Sequence, residues 1–181
     1  MNQFEASIIL WIQENLRGAM DGFWVFVTHL GDEGYLWIAL GVVLLCFKKT
    51  RTAGAAVLLS LLLDLIVVNM TLKDLVARPR PFVVNDAIQT LIQKPRAYAS
   101  FPSGHTSGSF ATAFALYQGL PKKFGISALV LAGLISISRL YVGVHYPTDV
   151  LGGVVVGFLC SVGAYYIIQI VRWKIEEKRN A

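Results

Sequence analysis

Three short clusters carry side chains able to work on a phosphate ester. The first is KDLVARPRP, from Lys73 to Pro81. The second is Pro102-Ser103-Gly104-His105, within ASFPSGHTSGSF over residues 99–110. The third is SRLYVGVHYPTD, from Ser138 to Asp149. A phosphoryl group in transfer spreads negative charge over its equatorial oxygens, and fixed cations and N–H donors stabilise it. Lys73, Arg80 and Arg139 supply the cations, and the Ser103 hydroxyl and Gly104 N–H supply further donors. That inventory suits phosphoryl transfer without a metal.

The spacing adds direction. Pro102 stops whatever precedes it, Ser103 is a good N-cap, and Gly104 lets another group approach the backbone. Free N–H groups at such a helix start form an anion site. A histidine nucleophile must be neutral and aimed, and a carboxylate on its other ring nitrogen does both. Asp149 follows His145 by four residues, which on a helix places both on one face, with Pro147 making the turn into it. His105 is the histidine placed to protonate a leaving oxygen. His29 stands outside all three clusters, and Arg78, off the spacing, reads as a headgroup or surface contact.

These clusters need elements that bring their ends together. The chain is 55% hydrophobic and 15% charged, with a mean hydropathy of +0.59. Soluble domains carry about a quarter charged residues, so the class is a polytopic membrane protein. A net charge of +5 lacks the basic tail or aromatic platform of a nucleic-acid binder, and membrane topology explains it better. Cys46 and Cys160 read as packing residues, and the N-terminus lacks the pattern of a cleaved signal peptide.

Residues 3–17 predict an amphipathic helix on the membrane surface, with Phe4, Ile8, Ile12 and Leu16 on one face and Gln13, Glu14 and Arg17 off it. The stretch 22–30 is either a second surface helix or part of a weak span. Crossings are predicted over 34–48, 53–72, 103–119, 124–140 and 148–171. The run 103–119, rich in Ser and Thr, belongs inside the bundle. Gly153 and Gly157 form a small-xxx-small pair that favours close helix contact. Within 53–72, Asn69 lies one turn from Lys73 and can orient it, whereas Asp64, nine residues away, falls half a revolution round an α-helix and outside the site. The expected architecture is an all-α membrane bundle of five to six transmembrane helices with an N-terminal amphipathic surface helix, one domain over 1–181.

All three clusters then fall at one end of the bundle. The opposite end carries Lys48, Lys49, Arg51, Lys122, Lys123, Arg172, Lys174, Lys178 and Arg179. The cluster end carries Arg17, Lys73, Arg78, Arg80, Lys94, Arg96 and Arg139. Once Lys73, Arg80 and Arg139 are set aside as ligand-binding, this bias makes the opposite end cytoplasmic and the cluster end extracytoplasmic.

The clusters resemble the three-part signature of the type 2 phosphatidic acid phosphatase superfamily, K-x-x-x-x-x-x-R-P, P-S-G-H and S-R-x-x-x-x-x-H-x-x-x-D, in identity, spacing and order. The resemblance implies a helical bundle and a phosphohistidine intermediate. It assigns Lys73, Arg80, Ser103, Gly104 and Arg139 to phosphate binding, His105 as general acid, His145 as nucleophile and Asp149 as its orienter. The wording RPRPF, SFPSGHT and SRLYVGVHYPTDVLG is similar to the small bacterial undecaprenyl-diphosphatases. The expected protein is an inner-membrane lipid phosphatase that uses no cofactor or metal, converts undecaprenyl diphosphate to the monophosphate, and meets membrane lipids but no nucleic acid. Phosphatidic acid or phosphatidylglycerophosphate is the alternative substrate, phosphotransfer between lipids the alternative reaction, and a headgroup-binding protein or transporter the non-enzymatic alternative.

Overall fold

The computed structural model describes residues 3–95 and 98–180. Arg96, counted above with the cluster-end cations, lies outside them. The described residues form helices and no strand. In chain order these are α1 (Gln3–Asn15), α2 (Asp21–His29), α3 (Tyr35–Leu45), α4 (Arg51–Val76), the single turn α5 (Pro81–Val84), α6 (Gly104–Gly119), α7 (Lys122–Tyr141) and α8 (Pro147–Asn180). Prolines mark several starts: Pro81 and Pro147 open α5 and α8, and Pro121 immediately precedes α7, where a fixed φ and a missing N–H cost nothing.

The centre is α6. It packs against α4, α7 and α8 and buries Thr106, Ser107, Ser109, Ala111, Thr112, Ala113, Ala115 and Leu116. The polar run expected inside the bundle is therefore its axis. Small side chains let the neighbours come close. A Cβ on Gly157 would stand 2.4 Å from the Ser107 carbonyl oxygen, and one on Gly153 2.9 Å from that of Ser103. The small-xxx-small pair thus lays α8 directly on the backbone of α6.

Three helices, α4, α7 and α8, are long and apolar enough to cross a membrane. At ~1.5 Å per residue, α3 and α6, with 11 and 16 residues, reach roughly 16 and 24 Å, short of the ~30 Å hydrocarbon core. The expected crossings 34–48 and 103–119 are helical but shorter than drawn. The ambiguous stretch 22–30 becomes α2, which packs on α7 and turns into α3 through left-handed Glu33 and Gly34, at φ 48° and 68°. Cys160 is buried as expected, whereas Cys46 is exposed.

Two local details were not part of the expectations. First, α1 docks on the protein by the side away from its apolar stripe. Glu5, Ala6 and Ile9 face the protein, Gln13 binds the backbone of Ala87 and Gln89, and Arg17 donates to the Tyr141 carbonyl oxygen. Phe4, Trp11 and Leu16 are left exposed. Second, α4 is wound as a π-helix over Leu65–Leu72, and within it the Thr71 side-chain hydroxyl donates to the Ile66 carbonyl oxygen at 3.1 Å. With i→i+5 bonds, nine residues complete about two turns in place of two and a half. This brings Asp64 back to the face that carries Lys73.

Gly157→Val drives a branched side chain into the α6 backbone. Its expected effect is a loss of more than ~1–3 kcal/mol, measured as a lower unfolding midpoint in detergent.

Candidate active site

Four helix ends meet at one end of the bundle. The C-terminal ends of α4 and α7 bring Lys73 and Arg139, the N-terminal ends of α6 and α8 bring His105 and Asp149, and the connections supply Arg80 and His145. Backbone contacts lock these segments together. Pro79 pairs with Ala99 in an antiparallel bridge, the Ser100 N–H donates to the Arg78 carbonyl oxygen at 2.7 Å, and the Ser103 N–H donates to the Asp149 carbonyl oxygen at 3.0 Å. The three sequence clusters are thus tied to one another independently of their side chains.

One cavity of about 980 Å³ is lined by Lys73, Arg80, Gly104, His105, Arg139 and His145. Lys73 Nζ is 2.5 Å from Asn69 Oδ1, as the spacing predicted, and a Cβ on Gly104 would lie 3.6 Å from that ammonium. Arg80 Nη1 donates to the Val144 carbonyl oxygen at 3.1 Å and lies 3.3 Å from His145 Nε2. Arg139 is buried and donates from Nη1 to Thr28 Oγ1, while its Nε is buried with no hydrogen-bond partner among the described residues. A buried donor left over in this way suits an anion.

His145 Nδ1 is 3.4 Å from Asp149 Oδ2. That is long for a hydrogen bond, and Nδ1 is otherwise without a partner. Asp149 Oδ2 also accepts the Tyr146 N–H at 2.8 Å. Burial pushes the His145 imidazole down to about 3, and Arg139 and Arg80 push the same way against the nearby Asp149 carboxylate. Burial also lowers the Arg80 guanidinium, to about 10, which leaves it charged at neutral pH.

Several expectations need correction. Ser103 makes no side-chain cap bond to α6; it is fully buried, its Oγ accepts from Thr106 Oγ1 at 3.0 Å, and it does not line the cavity. His29 and Asp64 both line the cavity. Asp64 gets there through the π-helical winding of α4. His29 gets there through the α2–α3 turn, where its Nδ1 is 2.7 Å from Asp32 Oδ2 and Asp32 Oδ1 is 2.9 Å from His105 Nε2. The hydrogen bond from His105, helped by the one from His29, holds the Asp32 carboxyl down at about 2 against the effect of burial.

Arg78 is the largest omission. Its Nη1 donates to Asp149 Oδ1 and Thr148 Oγ1, each at 2.7 Å, and its Nη2 donates to Glu5 Oε2 at 2.7 Å. Its guanidinium lies 4.1 Å over the Tyr146 ring. Glu5 in turn accepts from the Thr148 N–H and hydroxyl. Asp149 is thus held from both sides, and one side is anchored on α1. Nothing in the spacing separates Arg78 from Arg80. A carboxylate three residues after a histidine in a glycine-flanked turn, as at His29 and Asp32, is a faint signal at most.

Two outcomes follow from this geometry. Nitrogen-15 spectra of histidine-labelled protein in detergent are expected to show His145 neutral down to about pH 5, and a transition near its ordinary value of about 6.5 contradicts the buried setting. Arg78→Ala removes one side of the Asp149 clamp and is expected to lower kcat by about 10²-fold. Arg78→Lys should recover little, because an ammonium cannot reproduce the fork. Unchanged phosphate release by Arg78→Ala would count against the clamp.

Comparison with known proteins shows the family. The family model described as PAP2 superfamily matches residues 53–173. The chain is 36% identical over 154 residues to an undecaprenyl-diphosphatase of Sulfolobus acidocaldarius, covering 85% of this chain and 73% of that one. Among solved structures it is similar to LpxE from Aquifex aeolicus, with a TM-score of 0.77, 28% identity and coverage of 88% and 93%. It is also similar to a PAP2 type phosphatidylglycerolphosphate phosphatase from Bacillus subtilis, with a TM-score of 0.73, 28% identity and coverage of 96% and 86%. The match takes in all three clusters and the helices that carry them, so the chain belongs to the PAP2 superfamily and, like these relatives, is a phosphatase.

Proposed function

We propose that this protein hydrolyses a phosphate or diphosphate ester of a membrane lipid, with undecaprenyl diphosphate as the first choice of substrate. The observation that carries this reading is the shape of the cavity. Its polar end is Lys73, Arg80, His105, Arg139 and His145, and its other flank is Trp37, Ile38, Leu58, Leu61, Leu62 and Leu65 of α3 and α4. A phosphate head fits the first and an acyl or prenyl chain the second, with the tail still in the bilayer. The Sulfolobus relative favours the prenyl diphosphate. The Bacillus subtilis structure favours a glycerolipid such as phosphatidylglycerophosphate or phosphatidic acid, which is the second reading.

In this mechanism His145 Nε2 attacks phosphorus, and the bond to the leaving oxygen breaks. His105 gives that oxygen its proton. Water then attacks the phosphohistidine, passes a proton back to His105, and inorganic phosphate leaves as the P–N bond breaks. The tautomer with hydrogen on Nδ1 donates towards Asp149 and leaves the Nε2 lone pair beside Arg80. Lys73, Arg80, Arg139 and the Gly104 N–H hold the phosphoryl oxygens, with Ser103 seated behind them. α4, α7 and α8 cross the membrane, α3 and α6 complete a bundle of five membrane helices, six if α2 is counted, and α1 lies at the surface with Phe4, Trp11 and Leu16 towards lipid. The weight of basic residues at the far end supports an extracytoplasmic cavity in the inner membrane.

Phosphate release in detergent from pure undecaprenyl diphosphate, phosphatidic acid and phosphatidylglycerophosphate tests both readings. The expected ranking puts the prenyl diphosphate first, and faster turnover of either glycerolipid reverses it. His145→Ala is expected to abolish release from all of them, and retained activity would remove the mechanism.

A further inference from the structure

A second histidine–carboxylate pair stands beside the first, and the hydrolytic scheme leaves its carboxylate without a task. His105 Nε2 is 2.9 Å from Asp32 Oδ1, and Asp32 Oδ2 is 2.7 Å from His29 Nδ1. The side chains are 22%, 44% and 56% exposed in the order His105, Asp32, His29, so the row runs outward to solvent. The His105 ring is seated on bare backbone. A Cβ on Gly31 would stand 2.8 Å from its Cδ2, and Nε2 is held by Asp32, so Nδ1 is the ring nitrogen left over. Among the described residues no hydrogen-bond partner faces Nδ1.

Two cations oppose a proton on His105, Arg139 from α7 and Lys73 from α4. Arg80, Glu33, Asp64, His29 and His145 line the same cavity. Asp32 is the carboxylate in contact. A general acid is useful only while it is protonated, so a group that binds the imidazolium has work to do here.

We propose that Asp32 is a positioning residue that holds His105 as an imidazolium with Nδ1–H aimed into the cavity, and that His29 fixes Asp32 through its second oxygen. The proposal rests on the reading of His105 as the acid. In the forward step the Nδ1 proton goes to the leaving oxygen, and in the second step water returns a proton to Nδ1. Asp32 keeps Nε2–H throughout, and no proton is consumed at this pair.

Leaving-group chemistry tests it. The purified protein in detergent is assayed on phosphatidic acid, whose alkoxide needs a proton to leave, and on a nitrophenyl phosphate, whose phenolate does not. Asp32→Asn is expected to lower kcat on phosphatidic acid by about 10²-fold with KM within about twofold, and to keep the nitrophenyl rate within about threefold of wild type. Loss of the carboxylate weakens the imidazolium, so the alkaline limb of the pH profile moves to lower pH. His29→Ala should shift the same limb by less. Equal losses on both substrates, a change confined to KM, or an unmoved alkaline limb would overturn the role of Asp32. If Asp32→Asn is silent while His105→Ala abolishes phosphatidic acid turnover, the inference falls and the acid stands. If His105→Ala spares that turnover, the reading of His105 falls as well.

Discussion

Like charges gathered in an apolar bundle are the constraint to which everything else in this molecule answers. Lys73, Arg80 and Arg139 share one cavity with three histidines, and each cation repels the others while losing water. The fold offsets this with oxygen atoms at fixed places. Asn69 holds Lys73, the Val144 carbonyl oxygen holds Arg80, and Thr28 holds Arg139. Asp149 and Asp32 add negative charge next to His145 and His105. A tetrahedral anion would complete that balance, which is the physical support for a phosphate headgroup as the ligand.

Holding such a cluster together requires close backbones. The small residues of α6 and the glycines of α8 permit approaches that larger side chains would block. The backbone bonds linking residues 78–79 to 99–100, and Ser103 to Asp149, then fix the connections that carry the chemistry. A helix bundle alone would place four helix ends near each other. These extra bonds reduce the remaining freedom of Arg80 and His145, which sit in no long helix.

The N-terminal segment is part of the same device. Glu5 reaches Arg78 and Thr148, and the turn after α2 brings Asp32 to His105. Both carboxylates come from the part of the chain whose sequence pattern is weakest, and both act on clusters more than 70 residues away. Asp64 teaches a related lesson. Its place was misjudged because an angular argument presumes 3.6 residues per turn, and eight residues of α4 do not wind that way.

What the sequence determined by itself was chemistry and class. Permanent cations, a helix start and a histidine four residues before a carboxylate name their reaction by residue type and spacing, and apolar runs name the solvent around them, since both are local properties of the chain. A helix formed over each predicted apolar run, though Tyr35–Leu45 and Gly104–Gly119 are shorter than drawn, and Asn69 met Lys73, because an interval of four residues brings side chains together on a helix. What only the tertiary structure decided was which groups serve those residues. Arg78, Glu5, Asp32 and Thr28 gain their partners through contacts across the bundle, and Ser103 turned to Thr106 in place of the cavity. Such contacts depend on how helices cross and how a turn is wound, and no spacing along one segment records either.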